Sequence, residues 1–164
     1  MEGKICMFTG HRTINARHLT SLSENIGELL ERLIAEGYTD FRAGGAMGFD
    51  TLAAFAVLEK KKKYGYVKLH LYLPCHGQEK SWPENMKRAY YYVISSADSV
   101  RYAYDTYVNG CMHKRNRDMV NGSDLCVAYC GSDKGGTAYT VDYAKKKGIE
   151  VINLFESVRA AQNI

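Results

Sequence analysis

Two glycine-rich turns, two arginines and one aspartate are the residues of this chain whose types and spacing point to chemistry. The first turn is Gly44-Gly45-Ala46-Met47-Gly48-Phe49-Asp50. It joins a β-like run, Thr39 to Ala43, to a strongly helical run, Leu52 to Lys63. A glycine turn between a strand and a helix exposes backbone N–H groups and the positive end of a helix dipole, which together make an anion site. Gly44, Gly45 and Gly48 carry no Cβ, so the chain can bend there and let a ligand touch backbone. Asp50 falls in the first helical turn, where it either caps free N–H groups or accepts from a sugar hydroxyl. Alone, this stretch reads at least as well as a tight turn with a capping aspartate. A second turn, Gly135-Gly136-Thr137, opens another helix and shifts the balance towards a site. Arg12 follows the first strand in Gly10-His11-Arg12, and Arg115-Asn116 lies in a short basic helix. Arginine offers a rigid fork of donors that suits phosphate. Gly10-His11-Arg12 is not the Gly-x-Gly-x-x-Gly dinucleotide fingerprint.

The elements that must position these residues alternate regularly. Lys4 to Thr9 reads as a buried strand. Leu22, Ile26, Leu29, Leu30, Leu33 and Ile34 recur at helical spacing, with Ser21 and Glu24 as an expected capping box and Gly37 as a stop. Val67 to Leu73 reads as strand three. A polar loop with Gln78 and Trp82 follows, then a second expected capping box, Ser81 with Glu84, opening a helix that holds three consecutive tyrosines. Ser99 to Tyr104 is strand four, Met112 to Val120 a short helix, and Asp124 to Cys130 an almost wholly apolar strand typical of the centre of a parallel sheet. A helix from the second glycine turn and a strand over Glu150 to Phe155 complete the pattern. Alternating strands and helices imply βαβ units, with helices on both faces of a parallel sheet. In such a sheet every strand exit lies on one edge, where ligands bind.

Composition narrows the function classes. The chain has 164 residues, 46% hydrophobic and 24% charged, which fits one globular domain spanning residues 1–164. Its net charge of +4 resides largely in Lys60 to Lys63 and Lys145 to Lys147, which end helices and complement their dipoles. That placement explains the lysines without a nucleic-acid patch. No apolar run is long enough to span a membrane, and no signal-peptide pattern opens the chain, so a cytoplasmic protein is expected. Cys6, Cys126 and Cys130 sit in apolar runs, as core residues do. Cys75 and Cys111 lie near His76 and His113, but without metal-ligand spacing, so no metal site and no cofactor is expected.

Taken together, the motifs resemble the SLOG superfamily, named for the DNA-processing proteins Smf/DprA and the Lonely-Guy phosphoribohydrolases. The match looks closest to its small single-domain branch. It rests on Thr9-Gly10-His11-Arg12, Gly44 to Asp50, Gln78 with Trp82, Arg115-Asn116 with Met119 and Ser123-Asp124, and Gly135-Gly136-Thr137-Ala138. The resemblance implies a Rossmann-like three-layer sandwich with a mostly parallel central sheet, and a site for nucleotides or nucleotide-derived signals. In that picture Gly44, Gly45, Gly136 and Thr137 cradle phosphate, Arg12 and Arg115 neutralise it, and Asp50 faces the ribose. Relatives often associate, so the resemblance also admits a homodimer. Lonely-Guy enzymes carry a catalytic glutamate after their Pro-Gly-Gly-x-Gly-Thr turn; here Thr140 stands at that position. Their mechanism therefore does not transfer to this turn, and Asp50 is the remaining candidate carboxylate.

Three functions are consistent with these residues. A binding or sensing module for a phosphorylated nucleotide-like ligand needs only the glycine turns and arginines. An N-glycosidase would need Asp50 beside the sugar carbon. Single-stranded DNA binding ranks third, because it calls for a broad basic groove with stacking aromatics and the net charge is modest. The thiol reading has a direct check. Denatured, unreduced protein should titrate five free cysteines, and a chelator should leave the melting temperature unchanged. Zinc found by elemental analysis would overturn that reading.

Overall fold

The computed structural model of the protein describes residues 2–161. Its elements alternate as the periodicity requires. They are β1 (Lys4–Gly10), α1 (Leu19–Ala35), β2 (Tyr38–Ala43), α2 (Phe49–Lys63), β3 (Lys68–Leu73), α3 (Glu84–Ser96), β4 (Ser99–Tyr102), α4 (Cys111–Val120), β5 (Leu125–Tyr129), α5 (Gly136–Lys146), β6 (Glu150–Asn153) and α6 (Leu154–Ala161). The six strands form one sheet in the order β4-β3-β2-β1-β5-β6, and every pairing is parallel. The fold is thus the Rossmann-like three-layer sandwich, with a sheet that is wholly parallel.

Strand parity sorts the core into two layers. Cys6 and Phe8 of β1 join the cluster made by α1, α2, α3 and α6, while Met7 joins the cluster beneath α4 and α5. From β1 the chain steps outward through β2, β3 and β4, with α1 to α3 on one face. It then crosses back through α4 on the other face to place β5 beside β1. Right-handed crossovers demand this change of face when the direction of travel reverses. The crevice between the ends of β1 and β5 is the resulting switch point, where open α/β sheets bind ligands.

Two local expectations fail. Neither capping box forms. α1 begins earlier than expected, with His18 at its N-cap, which leaves Ser21 and Glu24 inside the helix. The His18 side chain instead meets the Tyr129 hydroxyl at 2.7 Å, so a tertiary contact sets the helix start. α3 takes Pro83 as its N-cap, again without a side-chain cap. Of the three tyrosines, Tyr90 is buried, whereas Tyr91 and Tyr92 face outward and Tyr92 stacks on Phe55. Cys6 and Cys126 are core residues, but Cys130 is only half-buried.

One side chain anchors α4, the helix that carries Arg115. Arg42 of β2 reaches under the C-terminal end of α4, where its Nη1 donates to the carbonyl oxygens of Met119 at 2.9 Å and Asn121 at 2.7 Å. The last carbonyls of a helix lack intrahelical partners, and a cation there also meets the negative end of the dipole. The same guanidinium lies over the Tyr72 ring. On the same face of the sheet as Arg42, an Asp40–His70–Ser99 row links β2, β3 and β4 by contacts of 2.7 and 2.6 Å. Arg42→Ala should lower unfolding stability by about 2 kcal/mol, the scale of charge-assisted hydrogen bonds. Urea denaturation should show a lower midpoint with an unchanged slope.

Candidate functional site

The switch-point crevice opens into a cleft of about 360 Å³. Both helical layers and the end of β1 build it. Thr9, Gly10, His11 and Arg12 come from the end of β1 and the loop beyond. Ala46 and Asp50 come from the first glycine turn and the start of α2, Arg115 and Asn116 from α4, and Gly136 and Thr137 from the first turn of α5. Arg12, Asp50, Arg115, Asn116, Gly136 and Thr137, far apart in sequence, are therefore brought together. Arg115 arrives from a helix interior and not from a strand exit.

The glycines of the first turn do not line this cleft; each has a packing role. A Cβ at Gly45, where φ is +70°, would collide with Leu73. A Cβ at Gly48, where φ is +79°, would collide with the backbone of Arg12. That close crossing lets the first N–H of α2, from Phe49, donate to the His11 carbonyl at 3.1 Å. Gly44 leaves room for Arg115 and Asp50, since its Cβ would come within 2.8 Å of both side chains. Gly10 makes way for the Phe49 ring, which stacks on Tyr129. Gly135 is the N-cap of α5 at φ +94° and lies outside the cleft. Gln78 and Trp82 support the first turn from behind: Gln78 Nε2 donates to the Gly45 carbonyl and the Tyr90 hydroxyl, and Trp82 meets Tyr90 edge-on. Ser123 holds α4 by donating to the Met119 carbonyl, and Asp124 accepts from the Ile5 N–H.

The two arginines differ. Arg115 is buried. Its Nη1 donates to the carbonyl oxygens of Gly44 and Tyr72, and its Nε to Asn116 Oδ1 at 2.8 Å. Burial pushes its pKa down, and Asp50 opposes that shift. Only Nη2 turns towards the cleft, 3.8 Å from the Met112 sulfur. Arg12 is exposed, and its Nη2 lies 3.9 Å from the same sulfur. Arg115 is mainly a structural tie with one donor to offer, while Arg12 presents an exposed fork.

Asp50 is 5% exposed. Its Oδ2 accepts the Ala46 N–H at 3.2 Å, which closes the turn behind the helix and does not cap it. Its Oδ1 is buried without a hydrogen-bond partner. Burial raises its pKa to about 6, although Arg115, the Ala46 N–H and Arg12 all pull the other way. An unpartnered buried oxygen at the wall of a cleft is costly unless a ligand hydroxyl meets it. His11, also in the cleft, accepts the Gly131 N–H through Nε2 at 2.8 Å, which fixes a neutral ring; its pKa is lowered by burial.

The candidate site residues read from the sequence did not include Thr9, His11, Ala46, Met112 or His113, all of which line the cleft. Met112 carried no signal, since its role depends on two arginines 100 and 3 residues away. Among the described residues no cluster of three or more His, Cys, Asp or Glu is arranged for a metal ion, and no helix is long and apolar enough to cross a membrane.

A model of the YspA SLOG family matches residues 6–155. The chain belongs to this family. It is 31% identical over 141 residues to the uncharacterized SPbeta prophage-derived protein YoqJ of Bacillus subtilis, covering 78% of this chain and 82% of YoqJ. Two solved structures share the fold at low identity. DNA processing protein A of Streptococcus pneumoniae superposes with a TM-score of 0.67 at 21% identity, over 91% of this chain and 49% of that one. The Helicobacter pylori protein of the same name, described by its single-stranded DNA binding mode, gives 0.65 at 18% identity, over 91% of this chain and 64% of that one. This chain thus spans about half to two-thirds of the length of those larger chains.

The Asp50 carboxyl yields a stability test. The folded protein holds its proton at pKa about 6, against an ordinary value of 3.8. Folded protein therefore binds more protons than unfolded chain between these values, and stability falls as pH rises from about 4 to 6. At about 1.4 kcal/mol per pH unit, the cost above pH 6 approaches roughly 3 kcal/mol. Asp50→Asn removes the ionisation. Relative to wild type, its melting temperature should rise from about pH 4 to pH 6 and level off above that, measured by thermal denaturation from pH 4 to pH 7.5.

Proposed function

We propose that this SLOG domain binds or senses a phosphorylated nucleotide or nucleotide-derived molecule in the switch-point cleft. The observation that carries the reading is the convergence of Arg12, Arg115 Nη2 and the first turn of α5 on one cleft. The opening N–H groups of a helix have no intrahelical partners and carry partial positive charge. Two guanidinium groups beside them favour a dianion. Asp50 stands at the same cleft with an unpaired oxygen, suited to a ribose hydroxyl and unsuited to phosphate.

A second reading, N-glycosidase action on a nucleoside phosphate or ADP-ribose-like bond, is favoured by one observation. A carboxyl with a pKa of about 6 is poised for general acid or base work near neutrality. Single-stranded DNA enters as a competitor to test, because the Helicobacter pylori relative in fold binds it.

Arg12→Ala should weaken a bound nucleoside phosphate by about 1.5–3 kcal/mol, the range for charge-assisted hydrogen bonds. It should leave the melting temperature and nucleoside binding unchanged. Arg115→Ala should weaken binding and also lower stability, because it strands the Gly44 and Tyr72 carbonyls. Calorimetric titration with AMP, ADP and ADP-ribose, run beside thermal melts, checks both. Equal losses for nucleoside and nucleotide would remove phosphate from the site, and displacement by oligothymidylate would favour the DNA reading. Chromatography of each incubated nucleotide should show no free base or ribose phosphate. Release that is catalytic in protein and lost in Asp50→Asn, a change of about 10²–10⁴-fold for a positioned acid or base, would establish the glycosidase instead.

A further inference from the structure

Met112 separates the cleft from a second cavity of about 600 Å³, and its side chain lines both. The second cavity lies beyond the ends of β3 and β4, between the loop after β3 and the loop before α4. A backbone bond from His76 N–H to the Asp105 carbonyl ties those loops together. No part of the switch-point machinery needs this space.

Its walls suit a planar polar group. The His76 ring is packed flat on Tyr102, with centroids 3.6 Å apart. Tyr107, 68% exposed, stands at the cavity as an uncovered aromatic face. Gln78 Oε1 at the wall is buried and has no hydrogen-bond partner. Aromatic faces stack bases of any sequence, and an unpaired carbonyl oxygen accepts from an exocyclic amine.

The partition itself is weakly held. The Met112 sulfur is the acceptor towards which both Arg12 Nη2 and Arg115 Nη2 point, at 3.9 and 3.8 Å. A thioether is a poor acceptor, whereas a phosphate oxygen forms short charge-assisted bonds with guanidinium. Methionine is unbranched and changes rotamer readily. An anion that takes these two donors therefore displaces the sulfur and joins the two cavities.

We propose that the second cavity is the base-binding half of the site, and that the ligand carries a group on each side of its phosphate. Its order is sugar at Asp50, phosphate or diphosphate at Arg12 and Arg115, and nucleoside at Tyr107 and His76. A terminal phosphate monoester fills only one half, and a nucleoside diphosphate joined to a second sugar fills both. This inference rests on the phosphate assignment made above.

The test is calorimetric titration of the full chain with ribose 5-phosphate, AMP and ADP-ribose. Wild type should bind ADP-ribose at least about tenfold more tightly than ribose 5-phosphate, the scale of one base–aromatic stack. Tyr107→Ala, at an exposed position, should keep the wild-type melting temperature. It should lose roughly that tenfold for ADP-ribose and leave ribose 5-phosphate unchanged. Met112→Ala should bind ADP-ribose at least as tightly as wild type, since no side chain has to move. If ribose 5-phosphate binds while ADP-ribose gains nothing, or if Tyr107→Ala leaves ADP-ribose unaffected, the second subsite is overturned and the phosphate assignment stands. Weaker ADP-ribose binding by Met112→Ala overturns the displacement. No binding of any probe overturns both the phosphate assignment and this inference.

Discussion

The buried guanidinium of Arg115 is the contact on which the site depends. It joins three segments that are remote in the chain: the Gly44 carbonyl of the first turn, the Tyr72 carbonyl near the end of β3, and Asn116 on α4. A buried cation is tolerable only when its donors are satisfied and charge lies near, and Asp50 supplies the charge. Gly44 must then remain glycine, since any Cβ would intrude on both side chains. The turn, the carboxyl and the guanidinium form one interdependent unit. Arg42, capping α4 from beneath, keeps that helix where Arg115 needs it.

The first glycine turn therefore serves the site indirectly. Its glycines allow chain segments to cross at distances that side chains forbid: α2 against the loop after β1 at Gly48, and Leu73 against Gly45. The open helix N-terminus at the cleft belongs to α5, whose first two residues line it. The two turns look alike in composition, yet one is a packing device and the other faces the cleft. Glycine marks close approach, and the approaching partner is backbone or side chain in one case and solvent in the other.

Arg12 and Arg115 converge on Met112, while Asp50, as buried as Arg115 and close beside it, holds a proton to about pH 6. A phosphate at Asp50 would face a carboxylate above that pH, and a sugar hydroxyl there would supply the missing donor. The proposed ligand is ordered accordingly, with a hydroxyl at Asp50 and its phosphate towards Met112.

Much of the fold was legible in the amino-acid sequence. Strand and helix periodicities, the apolar run of β5 and the alternation of elements imply a parallel three-layer sandwich, because these signals are local. The motifs placed Gly10, Arg12, Asp50, Arg115, Asn116, Gly136 and Thr137 in one site, and the structure gathers all seven in one cleft. Helix starts were less legible: the two capping boxes do not form, since the His18–Tyr129 contact at α1 and Pro83 at α3 set the starts. The roles of Gly44, Gly45 and Gly48 and the position of Met112 between two arginines depend on strand order and on which face each helix covers. Sequence alone determined which residues have the chemistry for a phosphorylated ligand. Tertiary structure alone decided which of them face the cleft, because a crossover that places β5 beside β1 sets distances between residues about a hundred positions apart, beyond the reach of any local pattern.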